Sequence, residues 1–521
     1  MITFLEETLI KIKESYTDIS QLTLILPSKR ACGFLLNYLK SNNQKTVFAP
    51  KIISIEEFIE EVSGLKIIDS TELLFESYNI YLKTSPDQEK DSFEVYATWA
   101  NTLLNDFNEI DRYVIPTNSF FNYLSSIQDI NYWGVQKEKT ALIENYLKFW
   151  NSLSSFYENF KSNLLNSNTG YQGLVYREAA ENIEHYKSNK GTIPHIFIGF
   201  NALNNAEQII IQELIEEENS RIYWDADNYF IKNKSHSASF FIRKYISEWN
   251  FFNTSLPNYI SDNYRTNKTF NIIEVQKNIS QVKFVGELLS KLSEEDLKQT
   301  AVVLADENLL NPLLHSLPSS IEKVNITMGV TLKSFPITVF FNMLLSLHES
   351  ESNNYYYKDV IALLNHPITT KIYPNSFQLI GRITKNNITY LSFKKLLELS
   401  SQKEDLILSL LFGDWKNKST YAIKTCLKII LLLKTIELAT IERVSFFQVY
   451  EAFQKIESLN RKFDYFKTIN TVKKLFAEIA STTTIDYQGD AYNGLQIMGV
   501  LESRVLDFKN VIITSVNEGV L

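Results

Sequence analysis

The feature that most constrains this chain is a repeated grammar. A short apolar run is stopped by a turn, and a stretch with apolar residues at helical spacing follows. LTLIL at 22–26 ends at Pro27, and RACGFLLNYLK then places Ala31, Phe34, Leu35, Tyr38 and Leu39 at helical spacing. VFAPKIISI leads into EEFIEEVSG, with Ser54 as an N-cap two residues before the paired glutamates. IPHIFIGF, NNAEQIIIQELIEE and SRIYWDAD repeat the alternation near residue 200. Beyond a polar, aromatic loop at 228–268 it starts again with FNIIEVQ, QVKFVGELLSKL and TAVVLADENLLNPLLHSL, and it closes with GLQIMGV and NVIITSV. This pattern predicts an α/β fold with two separate α/β layers.

Each layer is interrupted. From about 70 to 190 strands give way to amphipathic helices, as in TWANTLLNDFNEID, where Trp99, Leu103, Phe107 and Ile110 share a face. A second helical stretch fills roughly 350–485. The expected organisation is therefore a first α/β domain over 1–70 plus 190–265, a helical insertion at 71–189, a second α/β domain over 266–350 plus 486–521, and a basic helical insertion at 351–485. The strand NVIITSV and the turn NEGVL, with neither a covering helix nor a polar tail, predict a natural chain that continues past Leu521.

The chain has 521 residues, 45% of them hydrophobic, enough for several domains with sizeable cores and incompatible with a mostly disordered chain. Only two cysteines occur, Cys32 and Cys426, which excludes a disulfide framework and points to the cytoplasm. Glu6 and Glu7 break the region where a secretory signal needs an apolar core, and no apolar run reaches membrane-spanning length.

Charge is unevenly divided. The whole chain carries −8, yet residues 351–480 hold 19 Lys and Arg against 12 Asp and Glu, a local +7 that leaves −15 elsewhere. Lys394, Lys395, Lys416, Lys418, Lys424, Lys428, Arg461, Lys462, Lys473 and Lys474 fit a surface that tracks phosphates. Ordinary solvated helix faces are the competing reading.

Several chemistries lack their residues. None of the 15 glycines is followed by lysine, so no phosphate loop of the GxxxxGK[ST] kind exists in any register. The strand HIFIGF ends in Ile198, Gly199 and Phe200, where a magnesium-binding carboxylate pair would stand. For a metal-dependent nuclease of the PD…(D/E)xK kind the only Pro-Asp pair is Pro86-Asp87, in a polar run, and Asp296-Leu297-Lys298 sits in a charged segment. The six histidines show no zinc spacing, and no GxSxG elbow is present. Asp106, Glu109 and Asp111 read as a solvated helix face, and Tyr355, Tyr356 and Tyr357 as a helix entry with partly buried rings rather than a base-stacking platform.

Taken in order, the motifs resemble those of a known family. LILPSKRACGFLLNYL and HIFIGFNALNNAEQIIIQELI resemble segments of the AddB and RecB families of recombination nucleases. EVQKNISQVKFVGELLSKL, TAVVLADENLLNPLLHSLP and VNITMGVTLKSFP resemble the opening of their second motor domain. GLQIMGVLESRVLDFKNVIITSVNEGVL resembles their late helicase motif. The resemblance covers nearly the whole chain and implies two RecA-like parallel-sheet domains of the P-loop NTPase kind, each with a large helical insertion, in an AddB-like protein of the PD-(D/E)XK nuclease superfamily.

The resemblance also implies that the motor is degenerate. Pro27 and Ser28 stand at the first motif, Ile198, Gly199 and Phe200 at the magnesium motif, and Asp507, Phe508 and Glu518 in the late motif, where Arg504-Val505 replaces Lys-Gly. The implied function is a non-catalytic, helicase-like DNA-binding scaffold in double-strand-break repair and recombination. The exodeoxyribonuclease domain and its Mg2+ would lie beyond Leu521, and DNA ends or single strands and an AddA-like subunit would be the partners. No cofactor is expected in this chain. Lys29, Arg30 and Arg504, on loops after strands, join Lys394, Lys395, Lys416 and Lys418 as candidate DNA contacts. The rival expectation is a protein-docking scaffold that barely touches DNA.

Overall fold

The computed structural model describes residues 2–41, 48–85, 90–133, 141–190, 192–217, 219–257, 260–350, 354–400, 405–436, 439–485 and 494–520. Pro86-Asp87 lies outside them. The fold is α/β with parallel sheets. The first sheet is built from Thr23–Leu26 (β1), Lys51–Ser54 (β2), His195–Ile198 (β3) and Arg221–Tyr223 (β4), in the order β2-β1-β3-β4. All neighbours run parallel, with Thr23 opposite both Lys51 and His195.

Every residue of β1 and β3 is buried, because alternate side chains feed two cores. Ile25 and Phe197 point into one core with Phe58, Ile210 and Trp224. Leu24, Leu26, Ile196 and Ile198 point into the other with Leu5 and Leu35. The helices supplying these partners include Phe4–Ser15 (α1), Lys29–Ser41 (α2), Ile55–Ser63 (α3) and Asn205–Ile215 (α4). Helix α3 starts where the sequence predicts. Ser54 Oγ accepts from Glu57 N while the Glu57 carboxylate accepts from Ser54 N, and Gly64 ends the helix at φ +69°.

The second sheet contains Thr300–Leu304 (β5), Val324–Ile326 (β6), Leu495–Gly499 (β7) and Asn510–Thr514 (β8), all parallel, in the order β8-β5-β7-β6. The helix Asn278–Ser290 (α5) precedes β5. FNIIEVQ, expected as a strand, is not one. Residues 270–276 carry no strand, and Phe270 and Ile272 are 78% and 98% exposed. The sheet closes as β8-β5-β7-β6 and residues 270–276 join neither of its edges, so their apolar alternation is left without a ladder.

Contacts divide the chain into two compact units, residues 1–69, 101–328 and 487–521, and residues 70–100 and 329–486. Both four-stranded sheets fall in the first unit, and the stretch expected as one helical insertion, 71–189, is divided after residue 100 between the two. The second unit is largely helical and includes Pro336–Leu347 (α6), Ser419–Leu433 (α7), Thr440–Phe463 (α8) and Ile469–Thr482 (α9). Its core holds Phe341, Phe453 and Phe476, the last two stacked with centroids 4.7 Å apart. No described helix is long and apolar enough to cross a membrane.

One acidic residue departs from its expected place. Asp106 and Glu109 are exposed, but Asp111 is 0% exposed. Its carboxylate accepts from Arg177 Nε at 2.6 Å, from Tyr157 Oη at 2.5 Å and from Tyr171 Oη. Arg177 Nη2 also donates to the carbonyls of Ile110 and Ile115. A buried carboxylate holds its charge only when neutralised and hydrogen-bonded in this way. Asp111 is thus a structural knot joining the helices Phe93–Arg112, Ala141–Asn166 and Gln172–Glu181.

Candidate functional site

Several of the residues marked in the sequence lie close together where the two sheets of the first unit meet. Ser28 follows β1, and its Oγ accepts from Ala31 N to start α2. Beside it, Arg30 Nη2 donates to Gln496 Oε1 at 2.7 Å, and the guanidinium lies over the Phe34 ring. Gln496 belongs to β7, is buried, and accepts on the same oxygen from Asn325 Nδ2 of β6. Arg30 therefore spans the two sheets, while Lys29 is exposed and pairs with Glu57 at 3.2 Å.

At the end of β3 the chain turns through Gly199 at φ +75°, a conformation natural to glycine. A Cβ here would sit 2.6 Å and 2.7 Å from the two γ-carbons of Val505. Val505 itself is forced to φ +67° and is 7% exposed. It belongs to the same core cluster as Leu26, Ala31 and Ile198, with Leu506 packed against that cluster. The loop of the second sheet thus plugs the place where β1 and β3 of the first sheet end. Ile198 is 0% exposed and Phe200 4% exposed, so both are core residues.

Helix α1 occupies the stretch before β1. Thr3 caps it in a reciprocal box with Glu6, and Phe4 N donates to Asp507 Oδ2 at 2.7 Å. A helix N-terminus attracts anions because its first amides lack partners. Here the chain's own carboxylate, 503 residues away in sequence, takes up one of those amides. Phe508 packs on the small core of Ala301, Val303 and Met498, and Glu518 is exposed.

Glu207, on the first turn of α4, was not singled out by the sequence. Its carboxylate accepts from Asn204 N, and loss of water pushes its pKa up to about 7 although the Asn204 amide, Arg112 and Arg504 favour the charge. Arg504 is exposed and lies within electrostatic reach of Glu207. Among the described residues, no group of three or more His, Cys, Asp or Glu is arranged to hold a metal ion. Asp296 caps with Ser293 and pairs with Lys509 at 2.7 Å.

The remaining candidates lie in the second unit, where the structure sorts the basic residues into two groups. Lys462 sits between Glu72 and Glu76, Lys473 pairs with Glu349, Arg461 with Glu457, and Lys395 with Glu398. Lys394, Lys416, Lys418, Lys424 and Lys428 are exposed and form no ion pair among the described residues. Lys416 stands on a loop where it and Asn417 both adopt positive φ. The tyrosine run is structural: Tyr355 is 5% exposed and its hydroxyl bonds to His348 and the Phe412 carbonyl. No family model matches the chain, and no match was found among curated proteins.

Proposed function

We propose that this chain is a non-catalytic, helicase-like DNA-binding scaffold of a double-strand-break end-processing nuclease, with two RecA-like domains degenerated from a motor. The observation that carries the reading is the plugged crevice. In open α/β sheets a ligand binds in the crevice outside the carboxyl ends of the strands, and a motor of the proposed kind would take its nucleotide there. Here Val505 packs on Gly199, Arg30 bridges to Gln496, and Asp507 holds the first amide of α1. These contacts tie the two sheets together at the carboxyl ends of β1 and β3, which supports the reading of a motor that no longer cycles. The lysines of the second unit that have no carboxylate partner among the described residues support a phosphate-contacting role, since counterion release rewards such cations.

A second reading, a scaffold that docks a motor or nuclease subunit with little DNA affinity, is favoured by the overall charge of −8. Fluorescence anisotropy with single-stranded, forked and blunt DNA, at two salt concentrations and with or without ATP and Mg2+, separates the two. Salt-sensitive binding indifferent to ATP is the expected result. Absence of binding to all three DNAs refutes the DNA-scaffold reading in favour of subunit docking.

A further inference from the structure

Helix α7 presents an outward stripe that its structural role does not use. Its inner face is buried through Ala422, Ile423, Cys426, Ile429, Ile430 and Leu433. Tyr421, Lys424, Lys428 and Leu431 are spaced three, four and three residues apart along one exposed side of the helix, with exposed Lys418 at its N-cap. Tyr421 and Leu431 are 52% and 53% exposed, and the three lysines are exposed and without ion pairs among the described residues. No acidic residue occurs from 415 to 436. At 1.5 Å per residue the stripe runs about 20 Å, with Lys424 and Lys428 about 6 Å apart along the axis.

A solvated helix face normally mixes both signs of charge. This one carries cations alone, interleaved with an aromatic ring and an aliphatic side chain. We infer that the outer stripe of α7 is a binding surface for single-stranded DNA, its lysines lying against successive phosphates and the Tyr421 ring receiving an unstacked base. Duplex DNA fits less well, because its bases are stacked inside and would leave Tyr421 and Leu431 in water. The inference rests on the DNA-scaffold reading and narrows it to one helix and one form of DNA.

The test uses the full chain and a labelled oligothymidylate, measured by anisotropy over a salt series. Three variants are compared with wild type: Lys424→Gln with Lys428→Gln, Tyr421→Ala, and Lys291→Gln as a control that removes one charge at an exposed pair with Glu287 in the other unit. Melting by circular dichroism confirms that each variant folds. The double variant lowers the slope of log affinity against log salt by about 1.4, two phosphate contacts at about 0.7 each. Tyr421→Ala weakens binding about 5- to 150-fold. The control leaves binding unchanged.

Wild-type binding that neither variant alters overturns the stripe and leaves the DNA-scaffold reading standing. Absence of wild-type binding to the oligonucleotide and to duplex DNA overturns both. Association with phosphatidylserine vesicles in place of the oligonucleotide overturns the stripe by identifying α7 as a membrane-surface helix.

Discussion

Replacing Gly199 with alanine tests the plugged crevice most directly. Two penalties add at this position. The new side chain must adopt φ +75°, which costs a non-glycine residue roughly 1–2 kcal/mol. Its Cβ also arrives 2.6–2.7 Å from both γ-carbons of Val505, an overpacking that costs about 1–3 kcal/mol. The expected loss is therefore about 2–5 kcal/mol, read from urea denaturation followed by circular dichroism. Val505→Gly alone loses the burial of a valine, partly offset by relief of its own positive φ. In the double variant the clash is gone, so the combined loss falls short of the sum of the single losses by roughly 1–3 kcal/mol. A Gly199→Ala protein within 0.5 kcal/mol of wild type, or strict additivity of the two changes, refutes the close contact on which the plugged crevice depends.

Asp111→Asn strands the Arg177 guanidinium in a buried site and should destabilise the first unit by about 3–5 kcal/mol, with Asp111→Asn/Arg177→Met losing less than the sum of its parts in the same denaturation assay. Glu207 has a raised pKa, so its stability contribution is full below the ordinary carboxylate range and is lost as pH rises toward about 7. Glu207→Gln keeps the capping geometry without the charge, and is expected to match wild type at about pH 4 and exceed it at about pH 8 by on the order of 3 kcal/mol. His348 is the opposite case: burial holds it neutral, with its pKa lowered to about 4, between the Leu411 carbonyl at 2.8 Å and the Trp415 ring stacked at 3.9 Å. Its contribution is present above pH 6.5 and is lost as pH falls through 4, so His348→Gln should flatten the acid limb of the second unit's melting profile.

The strands and helix starts were legible where a local signal sufficed. Pro27 after LTLIL, Ser54 with Glu57, and the wholly buried TAVVL each carry their own evidence in a few residues. FNIIEVQ failed because alternation reports which faces are apolar and says nothing about whether a partner strand arrives. Asp111 was misread for a related reason. Its partners Tyr157, Tyr171 and Arg177 lie 46 to 66 residues downstream, and a charge on an amphipathic helix reads as solvated until they are in place. Gly199 and Val505 lie in segments that the sequence reading marks, but Val505 filling the space beside Gly199 is a property of the folded loop. The count of lysines gave the basic segment, and only the structure separated those held by carboxylates from those without an ion pair among the described residues.

The strand order of the second sheet imposes a sequence of events during synthesis. Strand β7 lies between β5 and β6 and pairs with both, so these two earlier strands share no ladder until residues 495–499 exist. Roughly 170 residues separate β6 from β7, and at about 5–20 residues per second the ribosome needs on the order of 10–30 s to deliver the missing strand. Through that interval TAVVL, buried along its whole length in the finished fold, waits as an unpaired apolar segment of the kind that chaperones shield and that aggregates when left alone. The second unit, whose residues 329–486 are made in this interval, has time to form its helices before the sheet around β7 can close.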